Sequence, residues 1–172
     1  MRWMGWLVVL LLSACSSVMV GEQPEIEKNA RWALLPFVNH TETPQAGSRA
    51  ESIAESVLRV SGAVDITHFP SELATETLFE NIERKQFDKA LEWASKGNFK
   101  YALTGSVEEW RYKVGVDGEP AVGVTIQVID VATKKVIWSA SGGKTGWSRE
   151  SLTGVAQDLI NQLLDPVQIA LH

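Results

Sequence analysis

A mixed α/β domain, with helices packed on one sheet, is the fold class this sequence predicts. Three observations carry that reading. Residues 31–38 (RWALLPFV) are nearly continuous in apolar residues, as a strand covered on both faces should be. Residues 101–141 hold three strand-like runs joined by two short turns, which implies an antiparallel meander. Residues 152–164 repeat apolar side chains at helical spacing, as a helix lying on a sheet does. The predicted order is β-α-β-α-β-β-β-α.

The amino-terminal stretch sets the boundaries. Arg2 precedes an apolar run from Trp6 to Leu12, and Leu12-Ser13-Ala14-Cys15 follows. A basic start, a short apolar core and small residues before a cut make a secretory signal, and the run is too short to span a bilayer. The cut falls before Cys15, which resembles the bacterial lipobox, so the predicted modification is a covalent lipid on Cys15. Residues 1–14 are then leader, 15–29 a polar lipidated tether containing Gly21 and Pro24, and 30–172 one domain. Ser16 after the cysteine resembles the outer-membrane default.

The remaining elements follow in order. Pro36 cannot donate to a ladder, so the first strand should end there or lie near an edge. Ser48 with Glu51 has capping-box spacing, and Ala50, Ile53, Ala54, Val57, Leu58 and Ser61 share a helical face before Gly62 stops the helix. Ala63–Thr67 reads as a short second strand, parallel to the first because a helix links them. Glu72–Arg84 reads as helical, with Leu73, Leu78, Phe79 and Ile82 partly buried. Phe87, Ala90, Leu91 and Ala94 form a stronger stripe that ends at Gly97. Tyr101–Val114 is a long strand containing Gly105, and Gly115–Pro120 is a turn centred on Asp117-Gly118. In Ala121–Val131, Val122, Val124, Ile126 and Val128 point one way while Thr125 and Gln127 point the other. Val136–Ser141 completes the meander. Ser148 is the predicted cap of the last helix, which Asp165-Pro166 should end or kink.

Charge narrows the partners. Removing the leader takes away one basic residue and no acid, so the net charge of −5 becomes −6. A balance this acidic excludes nucleic acid as main partner, since phosphate binding needs clustered cations. It permits a cationic one. With a single cysteine, neither an intrachain disulfide nor a thiolate metal cluster can form. His40, His68 and His172 show no metal-ligand spacing, so no metal and no cofactor beyond the lipid is expected. Gly143-Lys144-Thr145 lacks the leading glycine of a phosphate loop. Glu108-Glu109 and Asp117/Glu119 are carboxylate pairs, but strand neighbours should face opposite sides, so no convergent acid–base pair is expected. The predicted function is non-enzymatic.

Five tryptophans remain after the leader. Trp32 and Trp138 read as core, and Trp93 lies beside a helical stripe. Trp147, between Gly146 and Ser148, has two open readings. It packs on the core as a staple, or it stands exposed at a lipid or partner interface.

Family resemblance adds to this. The lipobox followed by Trp32–Asn39 (WALLPFVN) and a helix resembles lipoproteins related to CsgG and to the amino-terminal domain of TolB. Leu103–Gly115 (LTGSVEEWRYKVG), Gly118–Gly123 (GEPAVG), Trp138-Ser139-Ala140 and Thr145-Gly146-Trp147 are similar to the narrower PelC family. That resemblance implies an outer-membrane, lipid-anchored protein on the periplasmic face. It implies a ring-shaped homo-oligomer (a dodecamer is one candidate), the PelB export barrel as partner, and the cationic Pel polysaccharide of biofilms as the molecule moved. It also implies that an aromatic zone, with Trp147 as candidate, faces outer-membrane lipid, and that acids collect the polymer. Asp117, Glu119, Glu108 and Glu109 are the candidates for that role, against the plain alternative that they only aid solubility. The rival function is a lipoprotein scaffold or activator of another envelope machine, in CsgG-like secretion or peptidoglycan synthase activation.

Overall fold

The computed structural model of the chain describes residues 16–70, 80–114 and 118–171. They form a six-stranded mixed sheet with three helices. The strands are β1 (Ser16–Val20), β2 (Trp32–Asn39), β3 (Ile66–His68), β4 (Tyr101–Tyr112), β5 (Pro120–Asp130) and β6 (Lys135–Thr145), and the helices are α1 (Ala46–Val60), α2 (Glu80–Lys96) and α3 (Leu152–Leu171). Across the sheet the order is β1-β6-β5-β4-β2-β3. β2 is parallel to β3 and β4, and β4-β5-β6 is the expected antiparallel meander.

The largest departure from the sequence reading is β1. Ser16–Val20 falls in the segment read as tether, yet it pairs antiparallel with the second half of β6, from Ser16↔Lys144 to Val20↔Ala140. Five residues carry little strand signal alone. Their pairing depends on a distant strand, and local composition does not report that. The partner is longer for the same reason: β6 runs to Thr145 rather than to Ser141.

Two layers of core follow from strand alternation. On one face, Val122, Val124, Ile126 and Val128 of β5 meet Ala50, Ala54 and Leu58 of α1 and Leu159, Ile160 and Leu163 of α3. On the other face α2 places Ala90, Leu91 and Ala94 over Ala33, Leu35, Ala102 and Ile129, with Trp93 edge-to-face with Phe69 and tilted against Phe99. This second layer covers β2, the start of β4 and the end of β5. Among the described residues no helix lies over the rest of that face, towards β1 and β6.

Several local expectations need correction. β2 runs past Pro36 to Asn39, because β3 covers only Trp32–Leu34 and the missing N–H faces no ladder. The register shifts between Leu34 and Phe37, and the Phe37 N–H turns to Glu51 Oε2 at 3.4 Å. Glu51 is thereby drawn away from the capping box, and α1 starts at Ala46 after Gln45 in a left-handed conformation, without a side-chain cap. Gly62 does stop α1, at φ +105°, where Ala63 N donates to Leu58 O and Gly62 N to Arg59 O in a Schellman motif. Asn98 (φ 54°) rather than Gly97 is the left-handed residue after α2. The second strand is Ile66–His68, shifted from Ala63–Thr67. The Phe87–Ala94 stripe lies on α2, while Leu73, Leu78 and Phe79 of the preceding expected helix lie outside the described residues. Ser151, not Ser148, caps α3, accepting a hydrogen bond from Gly154 N at 2.9 Å. Pro166 does not end α3. Gln168 Nε2 donates to Asn161 O at 3.0 Å in the turn that the proline disrupts.

Candidate functional site: an open sheet face and an exposed aromatic end

The face of the sheet that α2 leaves open carries the first two candidate acids. Strand alternation predicts that Glu108 and Glu109 point to opposite faces, and the structure overturns this. β4 carries a bulge: Val107 pairs with Val124 and Glu109 with Gly123, so Glu108 is an extra residue. A Cβ built on Gly123 would lie 3.4 Å from Glu109 Cβ and 3.7 Å from Glu108 Cβ. Both carboxylates therefore leave the strand on the face opposite Val122 and Val124. A bulge depends on pairing across strands, so the sequence of β4 alone gives no sign of it.

The surroundings of this pair are mostly small residues and present more apolar than polar surface. Ser17, Met19, Glu108, Gly123, Ser141 and Gly143 line a shallow groove of ≈ 370 Å³. Glycine and serine keep it flat and leave backbone and hydroxyls reachable. Glu108 Oε1 accepts the Ser106 hydroxyl at 2.6 Å, and Glu108 Oε2 meets His40 Nδ1 at 3.0 Å. The serine hydrogen bond, then the histidine, outweigh partial burial and hold the Glu108 carboxyl below its ordinary value. Glu109 Oε1 accepts from Arg111 Nε at 2.9 Å. Both acids remain partly exposed, so these ion pairs contribute little stability.

At the far edge His68 bridges Glu51 (3.2 Å) and Glu55 (2.8 Å). Burial raises the Glu51 carboxyl. Burial also pushes Glu55 up, but hydrogen bonds from Arg59 and His68 outweigh it and the carboxyl lies low. His40 and His68 thus have carboxylate partners that spacing did not reveal, while His172 lies outside the described residues. Among the described residues no three His, Cys, Asp or Glu side chains are arranged to hold a metal. Gly143-Lys144-Thr145 is extended strand, and Lys144 pairs with Asp158 at 2.8 Å.

The lowered carboxyls give a pH expectation. Backbone and hydroxyl hydrogen bonds from Thr133 also lower Asp130 in the β5–β6 turn. Groups with depressed folded values stabilise the fold above their unfolded values, and that stability is lost as pH falls through the folded ones. Glu51 is shifted the other way and opposes them. Thermal stability should therefore fall as the pH drops below 4.5, the ordinary glutamate value. Glu108→Gln should flatten part of that fall in melting scans taken across the acid range.

The second surface is the end of the sheet where β4 finishes and α3 begins. Trp147 is 50% exposed, so about half of the ring stands out from the core. Tyr112 (51%), which sequence reasoning did not single out, is tied to the same turn, and Val114 (104%) is exposed two residues further along the chain. The Tyr112 hydroxyl accepts from Leu152 N at 3.1 Å and donates to Glu150 O at 3.4 Å, which ties the end of β4 to the Trp147 turn. Trp147 N donates to Glu150 Oε2 at 2.8 Å, and Gly146 N to Pro120 O at 2.8 Å. Gly146 has no room for a side chain between Pro120 and Val155. Glu119 is exposed at this same end, its carbonyl accepting from Lys113 N at 2.7 Å. It is therefore not grouped with Glu108 and Glu109. Asp117 lies outside the described residues. Cys15 does too, one residue before β1.

No protein-family model matches this chain, and neither does any curated protein. Among solved structures the chain is similar to the PelC dodecamer from Paraburkholderia phytofirmans, at 44% identity and TM-score 0.76, covering 90% of this chain and 98% of that one. A variant of that protein in a second crystal form gives 45% identity and TM-score 0.77, over 90% and 99%. Lipoprotein GNA1162 from Neisseria meningitidis shares the fold at 16% identity and TM-score 0.55, over 80% of this chain and 97% of that one. Identity at this level over nearly the whole length of the first two, on the same mixed sheet, places the chain in the PelC family.

Proposed function

We propose that this chain is an outer-membrane lipoprotein, anchored by lipid on Cys15, whose copies form a ring on the periplasmic face and guide cationic Pel polysaccharide to the PelB export barrel. The observation that carries this reading is the close similarity to a protein described as a PelC dodecamer. The bulge supports it at residue level, since it turns Glu108 and Glu109 onto one open face. One exposed acid is screened within about 8 Å at physiological salt. A pair repeated around a ring adds its fields and raises the local concentration of a polycation. Glu119, with Asp117 beside it in sequence, supplies further acids nearer the Trp147 end, and Trp147 faces the lipid. In this reading the chain acts by binding and assembly, with no covalent step.

Electron microscopy of detergent-extracted protein tests the assembly: closed rings support it, and monomers alone overturn it. Co-purification from membranes tests the partner. PelB in the eluate supports export, and a peptidoglycan synthase in its place supports the rival scaffold role. Glu108→Lys combined with Glu109→Lys should leave rings intact and lower secreted Pel several-fold. Normal secretion from intact rings of that variant would remove this face from the guiding surface.

A further inference from the structure

β1 starts one residue after the position that takes the lipid, and this bears on the order in which the molecule is finished. In the lipobox reading two reactions meet at Cys15. Its thiol takes the lipid, and water cleaves the Ala14–Cys15 bond, leaving a carboxylate on Ala14 and an amine on Cys15. That bond lies within about 7 Å of Ser16 even in a fully extended chain. Ser16 is paired opposite Lys144 in the closed sheet.

Closed pairing conflicts with an attached leader. The apolar run ends at Leu12, two residues before the bond, so the bond is presented at the membrane surface. A peptidase needs free, extended backbone on both sides of the bond it cuts, and backbone already paired in a sheet has to open first. With β1 closed, the chain beyond the bond is the sheet itself. Drawing the bond to the membrane would draw β6 along, with the Lys144–Asp158 ion pair at 2.8 Å. Charged groups enter a bilayer only at high cost.

The structure also shows where β1 can open. It is an edge strand with β6 as its neighbour, and four of its five residues are exposed. Within β1, Val18 is the residue that packs against the core, and it is half-buried. Beside Gly21, the buried Trp138 Nε1 finds no acceptor among the described residues, which takes stabilisation away from this junction. The chain is held firmly again just beyond it. The Tyr101 hydroxyl accepts from Glu27 N at 3.1 Å and donates to Glu25 O at 3.5 Å, and Ile26 and Ala30 pack on the core. Opening can therefore stop at Pro24 with the rest of the domain closed. Residues 16–24, once released, reach up to about 30 Å.

We propose that β1 stays open in the precursor and zips onto β6 only after the leader is removed and Cys15 is lipidated. One segment then serves twice, first as the extended substrate of processing and then as an edge strand of the mature domain. The inference rests on the lipidation of Cys15 and adds an order to it, with processing before completion of the sheet. Closure takes up the slack that processing needed.

Hydrogen exchange of full-length protein in phospholipid nanodiscs, read by mass spectrometry on peptides from residues 16–21 and from β5, tests the order. Mature acylated protein is compared with the unprocessed precursor of Cys15→Ala, its retained leader confirmed by mass. Residues 16–21 should exchange at least ten-fold faster in the precursor, while β5 is equally protected in both. A second precursor carries ten Gly/Ser residues between positions 15 and 16, a linker spanning about 17 Å on average. With that slack the sheet can close although the leader remains, so protection of 16–21 should return to the mature level. Equal protection of 16–21 in mature protein and the first precursor would overturn the proposal. Loss of β5 protection together with β1 would overturn it as well, because only β1 is held back. Failure of the linker to restore protection would overturn lack of slack as the cause. The amino-terminal mass judges the underlying reading separately: an unacylated wild-type terminus would overturn lipidation of Cys15, and the proposal with it.

Discussion

Replacing Cys15 with alanine should abolish retention at the outer membrane, and export of Pel with it. Leu12-Ser13-Ala14-Cys15 stands behind one basic residue and a short apolar run, and the chain holds no other cysteine to take the lipid. Among the described residues no helix is long and apolar enough to cross a membrane, so none of them offers a second helical anchor. Each buried methylene of an acyl chain is worth about 0.8 kcal/mol. Several acyl chains together therefore hold a protein firmly at a bilayer. The measurement is fractionation of Cys15→Ala, with the amino-terminal peptide weighed by mass spectrometry. Unprocessed or released protein is the expected result. Unchanged outer-membrane fractionation would mean that some other element provides the attachment.

Legibility differed between the fold and the surfaces, and the difference has a physical origin. Patterns confined to one element could be read. The β5 alternation, the α3 stripe, the apolar β2 run and the Gly62 stop all appear in the structure where periodicity placed them. Features that depend on two distant segments could not. β1 exists because β6 offers it a ladder, and the β4 bulge exists because β5 pairs across it with one residue fewer. Glu51 looked like a capping residue because its spacing from Ser48 is local, while its real partners, Phe37 and His68, come from two other strands. The site suffers most from this. Alternation separated Glu108 from Glu109, and only the bulge reunites them. Tyr112 passed as part of a long strand, because its tie to the Trp147 turn runs through Leu152 and Glu150, some forty residues away. The expectation at Cys15 rests on a linear processing signal that owes nothing to the fold, and Cys15 lies outside the described residues.

The contrast between two tryptophans is the sharpest test of how function and stability divide in this domain. Trp110 sits on β4 with 1% of its surface exposed, inside the core that α1 and α3 cover. Thr43 donates its hydroxyl to the Trp110 carbonyl, so the loop before α1 is fastened to the same residue. Truncating a buried tryptophan removes transfer energy and leaves a cavity that a close-packed interior fills only in part. Trp110→Ala should cost about 3–5 kcal/mol, a large share of the stability of a domain this size. Trp147 is half in solvent, and its backbone turn is held by Glu150 and Gly146 independently of the ring. Trp147→Ala should therefore cost less than about 1 kcal/mol and, on the proposed membrane-facing role of the ring, still lower Pel export. Denaturant midpoints of both variants, read beside secreted Pel, separate the two roles. Trp110→Ala is expected to lose export through loss of folded protein, and Trp147→Ala to lose it with the fold intact. A midpoint for Trp147→Ala as low as that of Trp110→Ala would make Trp147 a core residue after all. A normal midpoint with normal export would remove it from the membrane-facing surface.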